Sequence, residues 1–202
     1  MAGAPLVYSP PSYTTTNVVY GTGILFTAPT GTSVPSDQNL GVGTAWTGLG
    51  WNYVGSTEAG VTVTFNPTTQ DISIEEQPTP VGVAVTTAKM EITTSMSEET
   101  LANISLAYGN GGTISVTPPG AGQPGKSVLT LSTSLASVAV AVVGKNLYGF
   151  ARVVYIPTVI SAGQVQTAYR RAAQQRLYPL TLSAICPFNE ITYTDLTAVA
   201  TS

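Results

Sequence analysis

Residues 81–94 read VGVAVTTAKMEITT, a run of β-branched and apolar residues that predicts one long β-strand, either bent or bulged. Successive side chains of a strand point to opposite faces, so Ala88, Met90 and Ile92 share one face. The other face then carries the polar set Thr87, Lys89, Glu91 and Thr93. A strand with one apolar and one polar face is typical of an antiparallel sheet that has one face in water.

Shorter segments of the same character recur along the chain, separated by the Gly, Pro and Asn residues of turns. In residues 138–143, VAVAVV, both alternating sets are apolar, which predicts a strand buried on both faces. The other predicted strands are 17–28, with a turn or bulge at its glycines, 61–65, 72–76, 114–117, 128–133, 150–156 and 180–186. The 202 residues are therefore expected to form one mainly β domain, residues 1–202.

Residues 95–108 are the one segment with a clear helical pattern. Ser95 and Glu98 have the spacing of a capping box, and Gly109 is a typical helix stop. The apolar stripe of this predicted helix consists of Leu101, Ile104 and Tyr108. A helix of three turns would cover one opening of the sheet core.

Three polar or Pro-flanked segments are predicted to lie outside the sheet. Residues 1–16 are rich in Pro and Thr and are expected to form an extended N-terminal arm. Residues 66–80, NPTTQDISIEEQPTP, are bounded by prolines and acidic in the middle, which predicts a projecting loop. Residues 164–176 form either a short helix or an extended polar arm, because their propensity favours a helix but an apolar stripe is lacking.

Charged residues make up only 8% of the chain, where an ordinary soluble domain has about 25%. Such a surface is covered either by Thr, Ser, Asn, Gln and Gly or by neighbouring subunits. Trp46 and Trp51 lie in a Gly-rich loop, and they either pack over the edge of the core or serve as interface anchors.

The charges are unevenly distributed along the sequence. The first 100 residues hold eight acids and one base, whereas the rest hold two acids and six bases. If the two halves form different surfaces, copies of the chain can stack acidic face to basic face. The alternative is that folding scatters these charges.

The stretch GAGQPGKS, residues 120–127, satisfies the G-x-x-x-x-G-K-[ST] pattern of a phosphate-binding loop. That loop requires a preceding strand and a helix that begins at the Lys. Here Pro118 and Pro119 precede the motif, and the β-branched run VLTLSTS follows it and opposes a helix. Residues 120–127 are therefore interpreted as a connection between two strands, with Lys126 as a solvated or inter-subunit charge.

The residue types needed for catalysis are scarce. The chain has no His, which excludes Ser-His-Asp and Cys-His arrangements and removes the commonest metal ligand. Neighbouring carboxylates such as Glu98 and Glu99 point in different directions, and Cys186 lies in an apolar strand. We predict no catalytic residue, no cofactor site and no metal site.

The order of elements between residues 54 and 109, VGSTEAGVTVTFNPTTQDISIEEQPTPVGVAVTTAKMEITTSMSEETLANISLAYG, resembles the major tail protein of long-tailed, non-contractile phages, the subunit of the tail tube. The features shared with that family are a Gly before a T/S-x-x-G-V strand, an acidic projecting segment that ends in a Pro-Val strand, a long strand ending near an acid, and a helix closing at Gly. The early VYGTG and the late YIPTVIS and LYPLTLSAICP agree with its flanking strands.

This resemblance implies an antiparallel β-sandwich or barrel-like fold flanked by one helix, a structural role and no enzymatic activity. It further implies hexameric rings that stack into a hollow tube, with assembly in the host cytoplasm and a place in the virion. DNA would pass through without specific binding, and no small-molecule substrate is expected. The expected partners are further copies and other tail proteins, such as the tape measure, terminator and distal tail proteins.

Applied to this sequence, the resemblance assigns two groups of candidate residues. The candidate lumen-facing residues are Thr87, Glu91 and Thr93. The candidate contacts between rings pair the acids Asp71, Glu75 and Glu76 with the bases Arg170, Arg171 and Arg176 of another copy.

Two other functions fit the same composition. A β-sandwich receptor- or glycan-binding module would use Trp46 and Trp51 to stack on sugar rings. Another ring-forming tail protein or a capsid decoration protein would form closed rings or trimers rather than long tubes.

Overall fold

The computed structural model of the chain describes residues 19–35, 43–76, 79–146, 151–166 and 176–192. Within these residues the fold is mainly β, with strands and helices in the order β1 (Val19–Pro29), α1 (Gly43–Gly48), β2 (Asn52–Tyr53), β3 (Thr57–Ile72), β4 (Gly82–Met96), α2 (Leu101–Ala107), β5 (Thr113–Thr117), β6 (Lys126–Thr130), β7 (Val138–Asn146), β8 (Ala151–Ser161), β9 (Tyr178–Ala184) and β10 (Asn189–Thr192).

Eight of the strands form one antiparallel sheet in the order β2-β1-β7-β8-β9-β4-β3, with β10 also paired to β8. The sheet does not close, so the described strands β2 and β3 are its edges. Strands β5 and β6 form a separate two-stranded ribbon. The expected class, a β-sandwich-like antiparallel fold, is confirmed.

Strand β7 lies near the centre of the sheet and is covered on both faces, as its sequence predicts. Val138, Val140 and Val142 belong to the larger core cluster, together with residues of β4, β9 and α2. Ala139, Ala141 and Val143 belong to a second cluster on the opposite face. All six side chains are buried, which explains why neither alternating set is polar.

Helix α2 begins later than its sequence predicts, at Leu101 instead of Ser95. The cap is Thr100, whose hydroxyl oxygen accepts a hydrogen bond from the backbone N–H of Asn103 at 3.1 Å. The capping box is wrong because Ser95 is still in β4 and the Glu98 carboxylate accepts instead from the backbone N–H of Ser56, at 2.8 Å. The predicted stop is confirmed, since Gly109 has a φ of 96° directly after the last turn.

Most predicted strands are confirmed with shifted ends, but the one at residues 72–76 is wrong. Strand β3 ends at Ile72, and residues 75–76 begin the turn that leads back to β4. Accordingly, residues 66–72 of the predicted projecting loop are strand, and of the rest, residues 73–76 and 79–80 are turn and irregular backbone. The sequence did not predict three short elements, α1, β2 and β10.

The GAGQPGKS stretch connects β5 and β6 and does not lead into a helix. Gly120 and Gln123 form a small antiparallel bridge, and Gly122 has a φ of 76°, so the chain reverses there. Lys126 is the first residue of β6 and is exposed. The interpretation as a connection between two strands is confirmed.

Two of the predicted segments lie wholly or partly outside the described residues. The N-terminal arm, residues 1–16, lies outside the described residues, as does 167–175 of the 164–176 segment. Residues 164–166 have no regular secondary structure.

Candidate assembly surfaces

The hairpin of β3 and β4 is much longer than the part of the sheet that supports it. Strand β4 pairs with β3 along its whole length but with β9 only from Glu91 to Met96. Beyond that point, residues 66–72 and 82–90 form a two-stranded ribbon that we call the distal hairpin. Among the described strands, neither outer edge of the distal hairpin has a pairing partner, and such edges are sites where another chain can add.

A β-bulge in the distal hairpin decides which side chains share a face. Thr68 pairs with Thr87 and Thr69 pairs with Val85, so Thr86 is an extra residue on β4. The Thr86 hydroxyl donates to the carbonyl of Thr68 at 3.1 Å and holds the bulge closed. The side chains of β4 therefore exchange faces at this point.

Because of this exchange, the apolar face of β4 continues past the core. Met90 is buried opposite Phe65, and beyond the bulge Val85 and Val83 lie on the same face. Val85 is 63% exposed and Val83 61% exposed, since no described residue of the same subunit covers them. Beyond the bulge, the distal hairpin therefore has an apolar face that the described part of the subunit does not cover. Exposed apolar surface of this kind marks an interaction site.

The opposite face of the hairpin is polar. The candidate lumen residues Thr87, Glu91 and Thr93 lie on it together, as does Lys89 between them. Lys89 Nζ lies 2.6 Å from Glu91 Oε1, so the one base on this face is paired with an acid of the same strand. Glu91 also accepts a hydrogen bond from the Ser183 hydroxyl of β9 at 3.4 Å.

The Lys89 ion pair sets the acidity of Glu91. The hydrogen bond from Lys89 lowers the pKa of the Glu91 carboxyl below its ordinary value of 4.5, against a smaller opposing effect of burial. Because the folded-state pKa is the lower one, this interaction stabilises the fold above pH 4.5 and is lost as the pH falls through the folded pKa.

We therefore expect the Glu91 carboxyl to titrate below 4.5 in the folded protein and to titrate at a higher pH in Lys89→Met, which keeps an unbranched side chain and removes its charge. Carbon-detected NMR of the carboxyl group over an acid titration measures both midpoints. Equal midpoints in the two proteins would show that Lys89 does not pair with Glu91 in solution.

The acids at the end of the hairpin are exposed, and no described residue pairs with them. Asp71 lies opposite Val83 on the apolar face, while Glu75 and Glu76 are in the turn. Arg170 and Arg171, the bases predicted to meet them, lie outside the described residues.

Arg176 forms its ion pair within its own subunit. Arg176 Nη1 lies 2.9 Å from Glu99 Oε1, which also accepts from the Tyr178 hydroxyl at 3.0 Å. The guanidinium carbon of Arg176 is 5.0 Å from the centre of the Tyr178 ring. Arg176 is therefore a poor candidate for the contact between rings, and this part of the prediction is not retained.

Of the two alternatives for Trp46 and Trp51, packing against the core and anchoring an interface, the structure supports packing in the core of the subunit. Both side chains are fully buried, at 0% exposure, in the second core cluster of their own subunit. Trp46 stacks on Phe26 with ring centres 4.7 Å apart, and the edge of Trp51 meets Trp46 at 5.3 Å. The Trp51 indole N–H donates to the carbonyl of Ser33 at 2.9 Å, so neither ring is available to stack on a sugar.

Glu98, Glu99 and Cys186, which have side chains capable of catalysis, make structural contacts among the described residues. Glu98 binds the backbone of Ser56, and Glu99 binds Arg176 and Tyr178. The Cys186 sulfur accepts from the backbone N–H of Thr158 at 3.2 Å. Within the described parts of the chain, no three metal-binding side chains come together.

A mainly β subunit with an uncovered apolar hairpin and a second exposed ribbon belongs to the class of structural proteins that complete their surfaces by association. The family is given by sequence comparison: residues 13–166, about three quarters of the chain, match the model of the phage tail tube protein family. The chain belongs to this family and has a structural role in the tail tube, as a component of the virion. A search of curated proteins finds no significant match. Among the described residues, neither helix is long and apolar enough to span a membrane.

Proposed function

We propose that this chain assembles into hexameric rings that stack into the tail tube of a long-tailed, non-contractile phage, and that the genome passes through this tube into the host. The observation that carries the proposal is the distal hairpin, whose exposed valines Val83 and Val85 and two backbone edges have no partner in the described part of the subunit. A neighbouring subunit would cover these valines and pair with those edges. Other copies and other tail proteins, such as the tape measure, terminator and distal tail proteins, are the proposed partners, and assembly takes place in the host cytoplasm.

The polar face of the hairpin is the proposed lining of the lumen. Thr87, Glu91 and Thr93 lie on this face, and Lys89 is neutralised by Glu91. A lumen lined by hydroxyl groups and a paired base offers few free positive charges to DNA phosphates, so DNA can move through without being retained. This proposal includes no specific DNA binding and no small-molecule substrate.

A single domain of residues 1–202 with an N-terminal arm at residues 1–16 remains part of the proposal. The acidic end of the hairpin, with Glu75 and Glu76, is proposed to reach the neighbouring ring and to meet Arg170 and Arg171 there.

Reversing both charges, with Arg170→Glu and Arg171→Glu, is expected to stop tube growth, because like charges would then face each other at a contact repeated around each ring. Negative-stain microscopy of the purified variant at high concentration is the measurement. The matched control is Arg170→Lys with Arg171→Lys, which keeps both charges and should still form tubes. Normal tubes from the charge-reversed protein would contradict this pairing.

The proposed function as a whole is tested on the unaltered chain. Negative-stain microscopy over a range of protein concentrations should reveal hollow tubes of uniform width, and a sixfold symmetric projection of single rings would establish the number of subunits. Single subunits at every concentration and salt condition would overturn the proposal. The glycan-binding alternative has lost its main support, since Trp46 and Trp51 are both buried.

A further inference from the structure

The β5–β6 ribbon contacts helix α2 of its own subunit and leaves a second surface exposed. Among the described strands, none of the main sheet is hydrogen-bonded to this ribbon, and all five residues of β5 are exposed. Val116 is 71% exposed and Val128 43% exposed. The ribbon also contains Lys126, the residue that makes the sequence match a phosphate-binding loop and that the fold leaves without a ligand-binding role.

Lys126 differs from the other bases whose side chains the structure describes. Lys89 is paired with Glu91, Arg176 is paired with Glu99, and Arg152 is half-buried with contacts of its own. Lys126 is exposed, and among the described residues no acid forms an ion pair with it. Its charge is therefore available to an acid from outside the subunit.

The distal hairpin offers the complementary arrangement. Asp71 lies opposite Val83 on the apolar face, so an unpaired acid stands beside an exposed valine. On the ribbon, Lys126 and Val128 are two residues apart in β6 and share a face, so an unpaired base stands beside an exposed valine. Asp71 and Val83 are opposite each other on neighbouring strands, whereas Lys126 and Val128 are two positions apart on one strand. In both pairs the charged residue and the valine are therefore neighbours on one face, roughly 5–7 Å apart.

We infer that the β5–β6 ribbon of one copy binds the distal hairpin of a second copy, with Lys126 facing Asp71 and Val128 facing Val83. The inference rests on the proposed stacking of rings and names the surface that receives the hairpin. It is separate from the contact of Glu75 and Glu76 with Arg170 and Arg171, because Asp71 is on the face of the hairpin and the two glutamates are in its turn.

Each copy would use two different surfaces, the ribbon and the distal hairpin, so the contact is head-to-tail. Such a contact can repeat from copy to copy and does not stop at a dimer. Two ribbons of this width bury less area than a stable dimer needs, about 800 Å² per partner. Repetition around a ring lets many weak contacts act together, so rings would stack firmly while single subunits would bind weakly. The charge pair fixes the register of the contact more than it adds affinity.

A charge exchange tests the inference. Lys126→Glu and Asp71→Lys should each raise the protein concentration needed for tube formation about tenfold, because a modest repulsion is repeated at every copy of the ring. The double variant, with both substitutions, should return to within about twofold of the unaltered protein, because the pair is restored with its signs exchanged. Sedimentation of tubes at low salt, followed over a series of protein concentrations, measures the concentration needed for tube formation in all three variants.

Two controls isolate the contact from general charge effects. Lys126→Arg keeps the charge and should assemble normally. Glu58→Lys makes the same charge change as Asp71→Lys, at an exposed position of β3 outside the distal hairpin, and should also assemble normally. Thermal melting of each variant checks that its fold is intact.

The outcomes separate this inference from the proposed function. Tubes from the unaltered chain, with Lys126→Glu assembling equally well, would overturn the ribbon contact alone. A double variant no better than its two parents would also overturn it. Failure of the unaltered chain to form any tube would overturn the proposed function and this inference with it.

Discussion

Trp51→Ala is expected to lower the free energy of unfolding by about 3–5 kcal/mol, the usual cost of removing a large buried aromatic side chain. Trp51 is fully buried, packs edge-on against Trp46 and Tyr155, and donates its indole N–H to the carbonyl of Ser33. The substitution leaves a cavity in a small cluster and deprives that carbonyl of its donor. A typical domain is stable by only about 5–15 kcal/mol, so the loss is a large fraction of the total.

Urea unfolding followed by circular dichroism measures this loss, with Leu49→Ala as the control. Leu49 lies in the same loop and is 52% exposed, so its truncation should change the stability by less than about 0.5 kcal/mol. Trp51→Phe should fall between the two, because it keeps an aromatic ring and loses the hydrogen bond to Ser33. An unfolding midpoint for Trp51→Ala equal to that of the unaltered protein would show that the second cluster does not support the fold.

The strands that contribute to the buried core were predictable from sequence because their periodicity is set by burial. The six residues 138–143 are apolar on both alternating sets, and both faces of β7 are buried. The glycines of β1 predicted a turn or a bulge, and the pairing of β1 with β7 does shift between Tyr20 and Ile24. These features depend only on the strand itself and on which of its faces are buried, and both leave a pattern in the local sequence.

The second face of the sheet was not predictable in the same way. Helix α1 has six residues and β2 has two, which is too short for a periodic pattern. What holds them is the packing of Trp46 and Trp51 on Phe26 and Tyr155, and these two partners come from strands that are distant in sequence from the tryptophans. Sequence alone therefore left open whether the tryptophans were core or interface.

The apolar face of the distal hairpin was not predictable from sequence for a different reason. Without a bulge, strict alternation would place Val83 and Val85 on the same face as Thr87 and Lys89, and the hairpin would have no clear apolar side beyond the core. The extra residue at Thr86 moves the two valines to the face of Met90. A bulge of one residue leaves little trace in the sequence, yet it determines which face of the hairpin is available for association.

Acid substitutions on that face should prevent assembly without unfolding the subunit. We expect Val83→Asp combined with Val85→Asp to abolish tube formation, because two buried carboxylates would then lie unpaired against the neighbouring subunit. Both valines are more than 60% exposed in the single subunit, so its thermal stability should change little. Negative-stain microscopy measures the first effect and thermal melting the second.

The matched control is Ala84→Asp, which adds an acid to the same strand between the two valines but on the polar face, opposite Gln70. If the polar face lines the lumen, a carboxylate there stays in water and tubes should form normally. Loss of tubes in both proteins would mean that acids anywhere on the distal hairpin block assembly, and normal tubes from the double valine variant would exclude its apolar face from the interface. The assignment of the two faces requires that the valine variant fail and the Ala84 variant assemble, because the bulge at Thr86 places the two valines, and not Ala84, on the face of Met90.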